Sequence, residues 1–269
     1  MSKSKKKVLC IFCDRRRPRA VEDIIPNWLS EELDSTGMVT TEFTYASPGA
    51  DRKSYSQQFG NLATLKLKRV CADCNNEWMS ELEKRTRPLL EPLIHGRSSD
   101  IGSAAQRQIA TWCQLKCLCL DAYYLETYEG VQHLPMSVFH EFGQSHQPLD
   151  SSTVALGRYI PPNAGTKIRW GRLIRSAPAT NETLALVVVV STFGLGHLAI
   201  QVTVGAWSDT HDRQANYSVY GPELLQTWPP ASPLLSWPPR LVIKDDEFES
   251  AAQPMVAVTQ LEVIPLEHT

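Results

Sequence analysis

Two pairs of cysteines in this chain have the spacing of metal ligands. Cys10 and Cys13 enclose two residues, and so do Cys71 and Cys74. A two-residue gap lets both thiolates of a pair bind one tetrahedral ion, and two such pairs complete a closed zinc site. The sequence therefore predicts one structural zinc ion held by all four sulfurs. The alternative is two unrelated pairs of buried cysteines.

The residues after the second pair are typical of a helix. Asn75 is suited to cap it, and apolar residues follow at helical spacing. We expect Pro88 and Pro92 to break or kink this helix. A knuckle at the first pair, an extended region and this helix together predict a treble-clef arrangement.

The remaining elements follow from periodicity and from turn residues. A short helix over 26–33 is predicted with Pro26 as its first residue, and a helix over about 103–126 is apolar around much of its circumference. We expect this second helix to be buried between the N-terminal module and a C-terminal sheet, with Cys113, Cys117 and Cys119 as core residues. Strands are predicted over 8–13, 38–47, 62–70, 153–160, 166–174, 183–190 and 197–204.

The last two predicted strands form a hairpin through residues 193–196. Two Trp-Pro-Pro segments, at 228–230 and 237–239, are expected to pack their tryptophans onto the sheet. The final stretch, 251–269, is either a trailing strand or a poorly ordered tail.

Length and composition predict a globular protein, and the predicted helices and strands make its fold class α+β. The chain has 269 residues, of which 42% are hydrophobic and 21% are charged. We expect an N-terminal zinc-binding ββα module over 1–95, a helical connector over 96–150 and a mainly antiparallel β region over 151–269. No apolar signal region and no run of 18 apolar residues occurs, so we expect no membrane association. Cysteines with metal-ligand spacing favour a reducing compartment, and we expect the protein to be cytoplasmic.

Basic residues surround the first cysteine pair, although the whole chain has a net charge of −2. Asp14 is the single acid among the first twenty residues, which also contain eight cations: Lys3, Lys5, Lys6, Lys7, Arg15, Arg16, Arg17 and Arg19. This arm is suited to binding phosphates, and a solubilising tail is the alternative.

The order of these motifs resembles the HNH nuclease superfamily over about residues 8–84. The resemblance rests on the two cysteine pairs, on Glu22-Asp23-Ile24-Ile25-Pro26, on Asn61-Leu62 and on the sequence that follows Cys74. The most similar variety has a structural zinc beside a ββα-metal site, as in the recombination endonuclease VII type. Larger bacterial HNH endonucleases share the pattern Cys-Asn-Asn-x-Trp-Met-Ser-x-Leu-Glu.

The resemblance implies a second, catalytic metal ion and assigns residues to it. Glu22 and Asn75 stand where the family has ligands of a catalytic Mg²⁺ or Mn²⁺ ion. Asn61 stands near the position that orients the general base. Asp23 occupies the position of the base itself, which is normally histidine.

Asp23 changes the expected chemistry. Histidine accepts a proton near neutral pH, whereas an aspartate beside a divalent ion stays ionised and is a weak base. Asp23 would therefore act as a weak base or join Glu22 as an oxygen ligand of the ion.

Three functions stay open from the sequence: an altered metal-dependent nuclease, a catalytically impaired zinc module that binds nucleic acid or protein, and a purely structural zinc fold. In the first two we expect nucleic acid, most simply DNA, as the partner, and a homodimer or a protein partner through the C-terminal region is a further expectation. Six cations are predicted to contact phosphates: Arg15, Arg16, Arg17, Lys66, Lys68 and Arg69.

Overall fold

The chain folds into helices and mostly antiparallel strands, as predicted for an α+β protein. The computed structural model describes residues 7–33, 39–40, 58–59, 65–127, 134–161, 166–176, 185–207 and 224–244. The predicted tail over 251–269 lies outside this part of the chain, as does most of the strand predicted over 38–47. None of the helices in the described ranges is long and apolar enough to cross a membrane.

The N-terminal third consists of short strands and of helices that follow the cysteine pairs. Its elements are β1 (Lys7–Leu9), β2 (Arg16–Pro18), β3 (Glu22–Asp23), α1 (Asn27–Glu32), β4 (Val39–Thr40), β5 (Gln58–Phe59), β6 (Lys66–Leu67), α2 (Ala72–Cys74), a π-helical turn (Asn75–Met79) and α3 (Ser80–Ile94). β1 pairs antiparallel with β2, and β3 pairs antiparallel with β6. Leu65 and Leu67 are buried while Lys66 and Lys68 are exposed, the alternation typical of a strand with one buried face.

The helix after the second cysteine pair begins three residues before the predicted cap. Cys71 is its N-cap, since the Cys71 sulfur accepts a hydrogen bond from the Cys74 N–H, and Asn75 lies inside the helical run. Of the break or kink predicted at the prolines, the break is wrong, because α3 continues through Pro88 and Pro92, and the kink stays a prediction. These prolines are four residues apart and lie towards solvent, where water can bond the carbonyls that they leave unpaired.

The short helix α1 carries the expected apolar face. Trp28, Leu29 and Leu33 are all buried. Pro26 precedes the helix as its N-cap and is not its first residue, a shift of one position from the prediction.

The middle of the chain contains the buried helix that the sequence predicted. Its elements are β7 (Ser99–Gly102), α4 (Ser103–Thr127) and α5 (Met136–Ser145). Every residue of α4 from Ile109 to Ala122 is buried, including the three cysteines. α4 packs against α3 and β6 on one side and against the C-terminal sheet on the other, so it lies between the two parts as expected.

The C-terminal region is dominated by one large, mostly antiparallel sheet. The strands of this region, of which all but β13 belong to the large sheet, are β8 (Ser152–Ile160), β9 (Thr166–Ser176), β10 (Ala185–Leu195), β11 (Leu198–Trp207), β12 (Leu224–Trp228), β13 (Leu234–Trp237) and β14 (Val242–Lys244). The strand order is β12-β8-β11-β10-β9-β4-β5, with β14 parallel to β8 at a branch. β4 also runs parallel to β9, so a segment between the cysteine pairs adds to this sheet. The domain boundaries at 95 and 150 stay a prediction.

The turn between β10 and β11 is tighter than predicted. Leu195 pairs with Leu198, so Gly196 and His197 alone form the loop, and residues 193–195 continue the strand. Gly196 has a positive φ of 55°, and an added Cβ would lie 2.7 Å from the Ile94 carbonyl oxygen. The His197 N–H donates to this same oxygen at 2.8 Å, which fixes the hairpin on the end of α3.

The two Trp-Pro-Pro segments have different environments. Trp228 ends β12 at the edge of the large sheet, and its indole N–H donates to the Leu149 carbonyl at 3.1 Å. Trp237 is buried in β13, which pairs with β7 in a separate small sheet. Trp237 nevertheless belongs to the same hydrophobic core as buried side chains of the large sheet, and its expected contact with that sheet stays a prediction.

Candidate metal centre and the charges beside it

Backbone hydrogen bonds bring the two cysteine pairs together. The first pair and the segment after it are both bonded to the residues just before the second pair, since the Ile11 N–H donates to the Arg69 carbonyl at 3.1 Å and the Ala20 N–H to the Val70 carbonyl at 3.0 Å. The Cys71 N–H also donates to the Cys10 sulfur at 3.4 Å. These contacts join residues that are about sixty positions apart in the chain.

All four predicted sulfur ligands meet at one point. The sulfurs of Cys10, Cys13, Cys71 and Cys74 all lie within 4.8 Å of one another, and those of Cys13 and Cys71 are 3.8 Å apart. Sulfurs bound at about 2.3 Å to a tetrahedral zinc ion are separated by about 3.8 Å, so the arrangement fits such an ion. The cluster could hold a metal such as zinc. It is the one cluster of metal-ligand side chains in the described residues.

The thiols of the cluster do not ionise independently. Hydrogen bonds from the Cys74 side chain and from nearby backbone N–H groups lower the pKa of Cys10 to about 4. Burial raises the pKa of Cys71 to about 11, and the hydrogen bond to Cys10, together with burial, raises the pKa of Cys74. A bound dication would hold all four sulfurs as thiolates.

Aromatic side chains hold the first cysteine pair against two helices. Phe12 makes an edge-to-face contact with Trp78, with ring centroids 5.5 Å apart, and a tilted contact with Phe142 of α5. Gly143 lets α5 approach closely, because an added Cβ would lie 2.2 Å from the Phe12 carbonyl oxygen. The position of the knuckle therefore depends on α5, which comes much later in the chain.

Glu22, predicted as a ligand of a catalytic ion, is bonded to a lysine. Its carboxylate is buried and accepts a hydrogen bond from the Lys116 ammonium at 2.8 Å. The same ammonium donates to the Asp23 carbonyl at 3.2 Å and lies 3.7 Å from a Glu83 oxygen. Burial alone would lower the pKa of Lys116, but the charges of Glu22 and Glu83 outweigh it and raise the pKa, so the lysine stays charged.

The other predicted catalytic residues have separate surroundings. The Asp23 carboxylate forms an ion pair with Lys66 at 2.9 Å, on the strand pair β3–β6. Asn75 lies one position after the last cysteine, and its side-chain oxygen is buried with no hydrogen-bond partner among the described residues. Asn61 lies outside the described residues.

The predicted phosphate-binding cations lie on the two segments that the cysteine cluster joins. Arg15, Arg16 and Lys68 are exposed, and Arg69 is half-buried. Arg17 is exposed too, and it lies 3.5 Å from Asp73, close enough for a weak ion pair at the surface. We call this set, with Lys66, the basic surface.

Sequence reasoning missed Lys116 and Glu83. Lys116 stands within a run of α4 that is otherwise nearly all apolar, and Glu83 is three residues after Ser80 on α3. A charged residue inside a helix that is buried all round needs a partner of opposite charge, and that signal was present in the sequence. Which acid supplies the partner depends on the packing of α4 against β3 and α3.

No family model, curated protein or solved structure matches this chain. The four-cysteine cluster is the part of the resemblance to HNH nucleases that the structure supports. Membership of that superfamily, the treble clef and the second metal ion stay predictions. Function has to follow from the residues and their geometry.

Proposed function

We propose that this chain is a zinc-stabilised nucleic-acid-binding protein on an HNH-like treble-clef scaffold, and that it binds without cleaving at Glu22. The observation that carries the proposal is the basic surface. Arg15 and Arg16 extend from the knuckle, and Lys68 extends from the segment before the second cysteine pair. The cysteine cluster holds both segments together, so that one nucleic-acid backbone can contact both.

Charge and exposure support contacts to phosphates. Arg15 and Arg16 have no ion-pair partner within the described ranges, so they are available to a phosphate backbone. Lys68 is exposed as well, and the Glu126 carboxylate lies near it. Contacts of these cations to phosphates would neutralise charge and carry no base sequence information, because phosphate contacts position a duplex whereas base-edge contacts read it. Such binding weakens steeply as salt concentration rises.

A salt titration of binding to a DNA duplex tests the proposal. The double variant Arg15→Gln/Arg16→Gln removes two charges from the basic surface. We expect it to bind more weakly, with a plot of log affinity against log salt whose slope is shallower by about 1.8, since each phosphate contact contributes about 0.9. A gel shift or fluorescence anisotropy at several salt concentrations measures both quantities.

Lys84→Gln/Arg97→Gln is the matched control, since it makes the same change in net charge at exposed positions outside the basic surface. We expect the control to keep the wild-type slope. No binding of wild type to DNA or RNA at low salt would refute the proposal. Equal slopes for the two double variants would place the nucleic acid elsewhere on the molecule.

A metal-dependent nuclease is the second candidate, and Asn75 is the observation that favours it. A buried amide oxygen without a hydrogen-bond partner is rare in proteins and is available to bind a cation. The pairing of Glu22 with Lys116 favours the binding function instead, because the ammonium already neutralises the acid that the second ion would need.

Plasmid nicking with Mg²⁺ or Mn²⁺ decides between the two functions. On the proposal, wild type does not cut. If the nuclease function holds, Glu22→Gln abolishes cutting, and Asp23→His raises the rate by up to about 10²- to 10⁴-fold, the usual contribution of a general base. Zinc content and circular dichroism show whether each variant is folded.

A further inference from the structure

Lys116, on α4, lies at the centre of a group of three oxygen atoms from two other elements, β3 and α3. Its side chain is 2% exposed, and its ammonium contacts Glu22 of β3 at 2.8 Å and the Asp23 carbonyl at 3.2 Å. Glu83 of α3 contributes a carboxylate oxygen at 3.7 Å. The ammonium thus fills the position that a cation would take between these oxygens.

The lysine does not form hydrogen bonds to all three of these oxygens. The Glu83 oxygen is too far away for a hydrogen bond, and it is buried with no other hydrogen-bond partner in the described part of the chain. The ammonium has as many N–H bonds as there are oxygens, but its fixed reach leaves the Glu83 oxygen unbonded, whereas a metal ion with its water ligands can reach all three. Glu83 has a 29% exposed side chain, so the group lies close to solvent.

We propose that Lys116 is an internal cation that fills an oxygen-lined cation site, and that it excludes divalent ions from that site in the wild-type chain. Two carboxylates and a backbone carbonyl are the hard donors that Mg²⁺ and Mn²⁺ select. With the amine removed, these donors surround a space that a divalent ion can enter. This inference is independent of nucleic-acid binding, because it concerns only the ions that reach Glu22.

The fixed ammonium also accounts for the burial of Glu22. Two carboxylates near one point repel each other and lose solvation, and a buried acid without a partner is strongly destabilising. The Lys116 ammonium offsets the repulsion between the carboxylates and gives Glu22 a charged partner, without any ion from solution. The protein is therefore expected to fold fully in a medium free of Mg²⁺ and Mn²⁺, provided that zinc is present.

Thermal unfolding of the zinc-loaded full chain, with and without Mn²⁺, tests this inference. We expect Mn²⁺ to leave the Tm of wild type unchanged. We expect it to raise the Tm of Lys116→Ala by about 5 °C or more at concentrations about a hundredfold above the dissociation constant, since an ion that binds only the folded state stabilises it. Electron paramagnetic resonance counts the bound Mn²⁺ directly.

Lys116→Ala/Glu22→Gln is the control, and we expect it to lose the Mn²⁺ effect. If Lys116→Ala does not fold alone, Mn²⁺ should restore its refolding, and failure of Mn²⁺ both to bind and to restore folding overturns the proposal. A Tm rise in wild type that Glu22→Gln removes also overturns it, because the ion would then share the site with Lys116. Nucleic acid is absent from every assay, so failure here leaves the binding function untouched.

Discussion

Four thiols within a few ångströms of each other cannot all be charged without a cation among them. In the absence of metal, Cys10 carries the negative charge, because its pKa is lowered to about 4, while Cys71 is protonated at neutral pH, because its pKa is raised to about 11. The pKa of Cys74 is raised as well. Metal binding at this cluster therefore has to displace protons.

We expect zinc binding at pH 7 to release at least two protons, since the Cys71 and Cys74 thiols both have to lose theirs. Because protons compete with the ion at these sulfurs, affinity should fall by at least about 100-fold for each unit that the pH is lowered near neutrality. Isothermal titration calorimetry in buffers of different ionisation enthalpy counts the protons. Affinity that does not change with pH would contradict this ionisation pattern.

Cys71→Ser and Cys113→Ser separate ligands from core cysteines. Cys113 is buried in α4, outside the four-sulfur cluster, so we expect its variant to keep one zinc per chain. Cys71→Ser should lose tight zinc binding. Metal analysis by mass spectrometry measures both, and zinc loss from Cys113→Ser would show that the core cysteine is not independent of the site.

At the scale of elements, α5 fixes the position of the knuckle through Gly143. The close approach of α5 to the Phe12 backbone leaves no room for a side chain, since a Cβ would lie 2.2 Å from the Phe12 carbonyl oxygen. Backbone atoms cannot move away as a flexible side chain can, so a larger residue has to push the helix off the knuckle.

Gly143→Ala should destabilise the protein by about 1–3 kcal/mol, the usual cost of overfilling a packed interface. Alanine favours a helix more than glycine does, so the loss would come in spite of better helix propensity. Gly102→Ala is the control, because a Cβ there meets nothing within 4 Å. Chemical denaturation measures both variants, and equal stability would contradict the close contact.

Periodicity made the elements easier to predict than their contacts. The span of α4 follows from its long apolar pattern, and the cysteine spacing alone predicted the cluster. Pro88 and Pro92 misled the prediction because burial of Leu90 and Leu93 outweighs local proline effects. The partners of Glu22 and Phe12 depend on residues about a hundred positions away, which no local pattern reveals.

At the scale of the whole molecule, one hydrophobic core extends from the cysteine cluster to the large sheet. Buried side chains of the knuckle, of α3, of α4 and of β8 to β11 belong to the same cluster. α4 contacts both the N-terminal elements and the sheet, and the turn at His197 is bonded to the end of α3. Unfolding around the cysteine cluster is therefore expected to destabilise the large sheet as well.

Removing zinc with a chelator should lower the Tm of the whole chain in a single transition, by about 10 °C or more, because a structural zinc contributes several kcal/mol or more to folding. Differential scanning calorimetry and the near-ultraviolet circular dichroism of the tryptophans follow the change. Two separate transitions, of which only one responds to the chelator, would mean that the N-terminal module unfolds alone.

The placement of α4 has a consequence for how the chain is made. A ribosome releases the cysteine pairs, α3 and α4 before it has synthesised β10 and β11, the strands that cover the second side of α4. The four cysteines of the nascent chain can bind their metal ion early, but one apolar face of α4 is then still exposed to solvent. Exposed surface of that kind attracts chaperones or other unfinished chains. We therefore expect the rate at which β8 to β11 are translated to govern how much of this protein reaches its folded state.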